Sequence, residues 1–143
     1  PYEDDFETTE PDNKAQVVKD SQDYIAAVDS SGLCLFPGDA GMSEELFAGQ
    51  INMACEGNWD LERLLETGER IWNLEKQFNL IAHLTIKDDS LPPRILNEPA
   101  TSGSAKGLVC RLDEMLPDYY KLRGWDENGV PLTATLERLS LSK

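Results

Sequence analysis

The residues best suited to chemistry in this sequence are a cysteine and the short segment DSSGLC that ends on it, residues 29–34. Cysteine thiolates act as nucleophiles and bind soft metal ions and iron-sulfur clusters. The apolar periodicity predicts that Cys34 follows the end of a helix, where the negative end of the helix dipole disfavours a free thiolate. From the residues alone, Cys34 is therefore either an inert, buried small hydrophobe or a metal ligand.

The other residues that could take part in chemistry have no evident catalytic or metal-binding partners nearby in the sequence. Cys55 and Cys110 are far in sequence from Cys34 and from each other, and the sequence contains no C-x-x-C pair. This spacing argues against a disulfide framework and favours a protein of the reducing cytoplasm. His83 is the only histidine, and a lone histidine is more often a loop or partly buried residue than a base or ligand. Phosphate-binding glycine loops and the common hydrolase motifs are absent from the sequence. We therefore predict no catalytic residue.

The charge of the chain excludes several classes of partner. It carries 27 acidic and 13 basic residues, a formal net charge of -14, which disfavours binding to nucleic acid and to anionic lipid. No apolar run approaches the roughly 20 residues needed to span a bilayer. We therefore expect neither nucleic acid nor a membrane as a partner.

Helical periodicity places the cysteine segment at the end of the first of several helices. Residues 1–12 are acidic and proline-containing, which predicts a flexible arm. From Lys14 the apolar spacing predicts an amphipathic helix that ends before Gly32, and Ser43 and Asp60 are predicted N-caps of two further helices. The predicted buried faces of these three helices are Val17, Val18, Ser21, Tyr24, Ile25 and Val28; Leu46, Phe47, Ile51, Ala54 and Cys55; and Leu61, Leu64, Leu65, Gly68, Ile71, Trp72, Glu75 and Phe78.

The rest of the chain has weaker signals. Residues 83–110 contain prolines and glycines without a sustained period, which predicts a long ordered loop. Two short helices are predicted, one over 113–123 with Pro117 near its first turn and one beginning near Thr133. The prediction is an all-α, multihelical single domain over residues 13–143.

The DSSGLC segment resembles the D-x-x-G-L-C motif in the C-terminal region of the tungsten-containing aldehyde ferredoxin oxidoreductases. The resemblance continues through GERIWNLEKQFNL at 68–80, KDDSLPPR at 87–94 and LDEMLPDYYKLRGWDENG at 112–129. These segments occur in the order and approximate spacing of the family, and they cover nearly the whole chain after residue 13.

The resemblance implies the C-terminal domain of an enzyme that oxidises small aldehydes to carboxylic acids and passes the electrons to ferredoxin. It implies that Cys34 is the fourth ligand of a 4Fe-4S cluster. It also implies that Asp29, Leu33 and Leu35 contact a pterin that holds tungsten or molybdenum. Because such chemistry belongs mainly to the cofactor, the chain alone is expected to be inactive and to need the upstream domains of the same enzyme.

The sequence also departs from the family pattern. Family members are several times longer and supply three further cluster cysteines upstream. His83 stands where the family more often has glycine, which could alter a substrate channel, and Pro117 stands where an acid is usual.

Two alternative functions stay open: a helical interaction module that has lost the cofactor, and a subunit that completes the site in trans. Basic residues that could meet an acidic ferredoxin are interpreted as ordinary surface charge, namely Lys106, Arg111, Lys121 and Arg123.

Overall fold

The fold is a bundle of helices, seen here in a computed structural model that describes residues 14–142. The predicted acidic arm, residues 1–12, lies outside the described residues. The helices are α1 (Lys14–Ser31), α2 (Phe36–Asp39), α3 (Glu44–Ala54), α4 (Leu61–Ile81), α5 (Pro93–Asn97), α6 (Leu112–Arg123) and α7 (Thr133–Arg138). Over residues 14–142 no strand forms, and bridge pairing is confined to isolated positions. The all-α prediction is confirmed.

Helix α1 is the central element, because it packs against both α4 and α6. Its buried residues are Ala15, Asp23, Ala27 and Val28. Val18 and Ile25, which the periodicity places on the buried face, remain 45% and 42% exposed. The predicted stripe is wrong at these positions because small residues, rather than the largest apolar ones, let the neighbouring helices approach.

The apolar core lies between α1, α3 and α4. It consists of Ala27, Val28, Phe47, Ala48, Ile51 and Leu64. On α3 the predictions for Phe47 and Ile51 are confirmed, whereas Leu46, Ala54 and Cys55 are exposed. Helix α4 begins at the predicted cap, where an Asp60 carboxylate oxygen accepts a hydrogen bond from the Arg63 N–H at 2.9 Å. Phe78, predicted to be buried, is 70% exposed.

A cluster of four polar residues and one glycine holds α1, α4 and α6 together, and we call it the central joint: Gln22, Asp23, Gly68, Tyr119 and Arg123. The Arg123 side chain is fully buried and pairs with the Asp23 carboxylate. It also donates to Gln22 Oε1 at 2.8 Å and to the Tyr119 hydroxyl oxygen at 3.0 Å. The interpretation of Arg123 as surface charge is therefore wrong.

Gly68 belongs to this joint because two backbones meet there. A Cβ at Gly68 would overlap the backbone oxygen of Asp23, so only glycine permits this crossing of α1 and α4. Glycine inside a helix is unfavourable by roughly 0.5–1 kcal/mol relative to alanine. The close approach of the helices offsets that cost.

The predicted long loop is ordered and contains α5, which the sequence did not reveal. Asp89 anchors the loop, because its carboxylate pairs with Lys76 at 2.5 Å and accepts from the Tyr120 hydroxyl at 2.6 Å. Helix α6 begins at Leu112, so Pro117 lies in its second turn rather than its first. His83 is exposed and has a φ of +66°, a left-handed conformation that glycine adopts more easily.

Candidate cofactor-facing site

The turn after α1 carries the residues that the sequence singled out. Helix α1 ends at Ser31, and Gly32 follows with a φ of +78°. The Gly32 N–H donates to the Asp29 carbonyl oxygen at 3.2 Å. The Ser31 hydroxyl donates to the Val28 carbonyl oxygen at 2.6 Å and accepts from the Leu33 N–H at 3.2 Å. The direction in which the chain leaves the helix is therefore fixed by local hydrogen bonds.

The side chains after Gly32 alternate between the core and the outside. Leu33 and Leu35 are partly buried and pack against the apolar core, whereas Cys34 between them is exposed. Burial of the flanking leucines fixes the backbone and leaves the thiol on the surface. The interpretation of Cys34 as a buried small hydrophobe is therefore wrong.

The backbone beside Cys34 also has free donors. The Leu35 carbonyl oxygen accepts from the Gly38 N–H at 2.8 Å. Among the residues that the structure describes, the N–H groups of Cys34 and Leu35 donate no hydrogen bond within the chain. Backbone N–H groups of this kind can donate to an anion or to the sulfur atoms of a cluster.

Asp29 lies in the last turn of α1, on the exposed side. Its backbone oxygen closes the Gly32 turn. A carboxylate can accept hydrogen bonds at both oxygens. The structure therefore brings the four predicted site residues together on one short exposed turn.

Two polar atoms beneath this turn lack a hydrogen-bond partner within residues 14–142. They are the Tyr24 hydroxyl and the Trp59 indole N–H, and both are buried. Both side chains pack against the same apolar core as Leu33 and Leu35. Burial, together with the charge of Glu44, raises the pKa of Tyr24, so its hydroxyl stays protonated. Buried donors without a partner are rare in folded proteins, so these two atoms are candidate contacts for a group outside the chain.

The donor set of the described residues does not form a complete metal site. Within residues 14–142, no group of three or more histidine, cysteine, aspartate or glutamate side chains is placed to hold a metal ion. Cys34, Cys55 and Cys110 are free thiols. The exposed thiol of Cys34 suits a single thiolate ligand, and a complete metal site would need further ligands from outside residues 14–142.

A cavity of about 490 Å³ lies between α1, α4 and α6, and its lining does not include the turn after α1. Aromatic rings line much of it, and its polar groups pair with one another, as in the contact of Lys76 with Asp89. Burial and the Asp89 carboxylate raise the pKa of Tyr120, which keeps the hydroxyl protonated as a donor to that carboxylate. The paired groups leave a mainly apolar surface.

Sequence reasoning missed the central joint. The signals were the single glycine within the apolar stripe of α4 and the four-residue spacing of Tyr119 and Arg123 on α6, which brings their side chains together. Neither signal predicts that Asp23 is the partner of Arg123, because the two residues lie 100 positions apart in the sequence.

The described residues contain no helix that is long and apolar enough to cross a membrane.

Comparisons with known proteins identify the family. Residues 2–141 match the family model described as "Aldehyde ferredoxin oxidoreductase, domains 2 & 3". Over 133 residues the chain is 44% identical to the tungsten-containing aldehyde ferredoxin oxidoreductase of Pyrococcus abyssi, and 46% identical to that of Thermococcus kodakarensis. Each alignment covers 92% of this chain but only 22% of the relative.

A more distant relative and a solved structure extend the comparison. The chain is 31% identical over 127 residues to the aliphatic sulfonate oxidoreductase, WOR-like subunit, of Pyrococcus furiosus, covering 82% of the chain and 20% of that relative. The active site complex BamBC of benzoyl coenzyme A reductase shares the fold, with a TM-score of 0.69 at 22% identity over 99% of this chain and 21% of that one. The chain belongs to the aldehyde ferredoxin oxidoreductase family and corresponds to the C-terminal part of its members.

Proposed function

We propose that this chain is the helical C-terminal part of an oxidoreductase that converts aldehydes to carboxylic acids with ferredoxin as electron acceptor. In this proposal Cys34 supplies one thiolate to a 4Fe-4S cluster, and the turn around it contacts a pterin that holds tungsten or molybdenum. The supporting observation is the exposed thiol of Cys34, held outward between two leucines that pack into the core. Such an arrangement suits a ligand offered to a group outside the chain.

The bound cofactors would supply the redox chemistry, in which an aldehyde and water become a carboxylic acid, two protons and two electrons. The residues of this chain would hold and orient those cofactors. A thiolate is the usual ligand of iron in such clusters, and the free N–H groups of Cys34 and Leu35 would donate to cluster sulfur or to the pterin.

Asp29 would bind the pterin through its carboxylate. The aminopyrimidinone edge of a pterin offers adjacent N–H donors, which a carboxylate can accept as a pair. Leu33 and Leu35 would contact the pterin through their backbone, because their side chains pack against the core. The Gly32 turn would allow that backbone to approach closely.

The remaining parts of the site would come from the rest of the longer protein. The chain spans 22% of the length of the curated relatives it matches, and within residues 14–142 no group of three or more potential ligands is placed to hold a metal ion. Upstream domains would therefore supply the other cluster ligands and most of the pterin pocket, and the isolated chain would be inactive.

The first test is the metal content of the intact polypeptide, purified anaerobically from its source. The proposal predicts about four irons and one tungsten or molybdenum per chain. A metal-free protein would contradict it and favour the interaction module without cofactor. Copurification of a separate catalytic chain that carries the metals would favour the subunit acting in trans.

A second test concerns Asp29. In the full-length protein, Asp29→Asn should lower the tungsten content and the aldehyde oxidation rate, because an amide cannot replace both acceptor oxygens of the carboxylate. The matched control is Asp20→Asn, also on the exposed side of α1, which should leave both unchanged. Equal behaviour of the two variants would remove Asp29 from the pterin site.

A further inference from the structure

In the second half of α4, two polar residues face the protein interior and three large apolar residues face outward. Asn73 and Lys76 face the protein interior and are 0% and 8% exposed. Leu74, Phe78 and Ile81 are 56%, 70% and 77% exposed. A helix on the surface of a complete protein normally has the opposite arrangement.

The inward polar face is fixed by specific partners. Asn73 accepts from the Trp125 indole N–H at 2.8 Å. Lys76 pairs with Asp89 at 2.5 Å, and its ammonium lies 5.1 Å from the centre of the Trp125 ring. Because burial of an unpaired charge is costly, α4 cannot rotate about its axis to bury Leu74 and its neighbours instead.

The outer residues form one continuous face. Leu74, Phe78 and Ile81 are spaced four and three positions apart, so they lie on the same side of the helix. Several large hydrophobic side chains together on one exposed face are uncommon in a monomeric protein and mark a contact surface.

We propose that this outer α4 face, formed by Leu74, Phe78 and Ile81, packs against the part of the full-length protein that lies outside this segment. The inference rests on the proposed function, since it needs the longer enzyme. The segment corresponds to 22% of the length of its relatives, so most of such a protein is available to cover the face. Covalent linkage gives that part a high effective concentration at the face.

A second copy of this chain is a less suitable occupant. Each copy carries a formal net charge of -14, and two such surfaces repel each other on approach. The same charge disfavours an anionic lipid surface. A surface of the same polypeptide is held near the face by the covalent chain, which offsets such repulsion.

Hydroxyl-radical footprinting of the full-length wild-type protein tests the proposal. Oxidation of Leu74, Phe78 and Ile81 is compared between the native and the urea-denatured protein, at two protein concentrations. The proposal predicts that oxidation in the native protein is slower by about tenfold or more at both concentrations. Native rates close to the denatured rates would overturn it, and protection lost on dilution would overturn it in favour of a second copy.

Variants sharpen the result. Phe78→Glu should expose the face in the full-length protein and raise the oxidation of Leu74 and Ile81 about tenfold. Met53→Glu is the matched control, since Met53 is 81% exposed on α3 and the variant should leave these rates unchanged. Unchanged oxidation rates of Leu74 and Ile81 in Phe78→Glu would contradict the proposal.

Iron and tungsten are measured on the same samples, so that the two proposals can fail separately. Normal metal content with an unprotected outer α4 face refutes only the packing of that face against the rest of the protein. Absent metal with a protected face refutes only the proposed cofactor role.

Discussion

The central joint buries its charged groups, whereas the turn after α1 exposes the thiol on which the proposed function depends. In the joint, Arg123 and Asp23 are fully or almost fully buried, and Arg123 donates hydrogen bonds to Asp23 and Gln22. At the turn, Cys34 is exposed and its backbone N–H has no acceptor within the described part of the chain. Both regions involve α1. The joint fixes the helix against α4 and α6, and the turn exposes the Cys34 thiol just beyond the end of α1.

This difference separates the residues that stabilise the fold from the residues of the proposed cofactor site. Substitutions in the joint should act mainly on folding, because they leave buried groups unpaired or force backbones apart. Substitutions of the exposed site residues should act mainly on cofactor content. The predictions below follow from that separation.

The largest effect is expected from Arg123→Met. Removal of the guanidinium breaks the buried pair and leaves Lys19, whose Nζ lies 2.9 Å from Asp23 Oδ2, as the remaining charged partner of that carboxylate. We therefore expect a loss of about 3 kcal/mol of unfolding free energy, the lower end of the range for a broken buried ion pair. Urea denaturation of the full-length protein, followed by tryptophan fluorescence, measures the loss. The double variant Asp23→Leu with Arg123→Met should recover at least half of it, because an apolar pair of similar volume replaces the ion pair. No recovery would mean that the pair is not the source of the loss.

Gly68→Ala should have the next largest effect. The added methyl group would overlap the Asp23 backbone oxygen, and overpacking of this kind costs about 1–3 kcal/mol. Gly49→Ala is the control, because nothing lies within 4 Å of a Cβ at Gly49 on α3. That variant should be stabilised by roughly 0.5–1 kcal/mol through helix propensity. The same sign of change in both variants, again by urea denaturation, would contradict the close approach of α1 and α4.

A smaller effect is expected at the start of α4, away from both regions. Asp60→Ala removes the side-chain acceptor of the Arg63 N–H and should cost about 1 kcal/mol. Ser43→Ala at the start of α3 is the comparison, since Ser43 makes no capping hydrogen bond with its side chain. It should cost clearly less in the same denaturation measurement. A larger loss at Ser43 would mean that the two caps are wrongly assigned.

The smallest effect on stability is expected at Cys34 itself. In metal-free protein, Cys34→Ser should change the unfolding free energy by less than about 0.5 kcal/mol, because the side chain is exposed. Leu33→Ala next to it should cost about 1 kcal/mol, since half-buried leucine contributes roughly half of a full burial. A thermal scan of the apo form compares them. A large loss in Cys34→Ser would show that the thiol serves the fold.

The sequence predicted the elements with strong local signals. The end of α1 at Gly32 and the cap at Asp60 depend on neighbouring residues, through left-handed backbone in the first case and a local hydrogen bond in the second. The prolines and glycines of residues 83–110 predicted the long loop, whereas its anchor at Asp89 depends on the distant Lys76 and Tyr120. The grouping of Asp29, Leu33, Cys34 and Leu35 followed from the motif. Their direction, with leucines inward and the thiol outward, required the packed core.

What the sequence could not give depends on contacts between distant residues. The buried pairing of Arg123 with Asp23 joins α6 to α1, and periodicity within either helix does not predict it. Apolar periodicity also failed to predict which residues of the second half of α4 are buried. Asn73 and Lys76 face inward because they bind Trp125 and Asp89, which lie far away in sequence. The conformation of His83 was also not predicted, although it does not depend on a distant contact. Its left-handed backbone explains why glycine suits that position.

The most direct test of the account is the iron content and cluster spectrum of two matched variants of the full-length protein. Cys34→Ser and Cys55→Ser each remove one exposed thiol from the same domain. The account predicts that Cys34→Ser loses iron or changes the electron paramagnetic resonance signal of the reduced cluster, whereas Cys55→Ser keeps about four irons per chain and the wild-type signal. An unchanged cluster in Cys34→Ser would contradict the assignment of Cys34 as a cluster ligand.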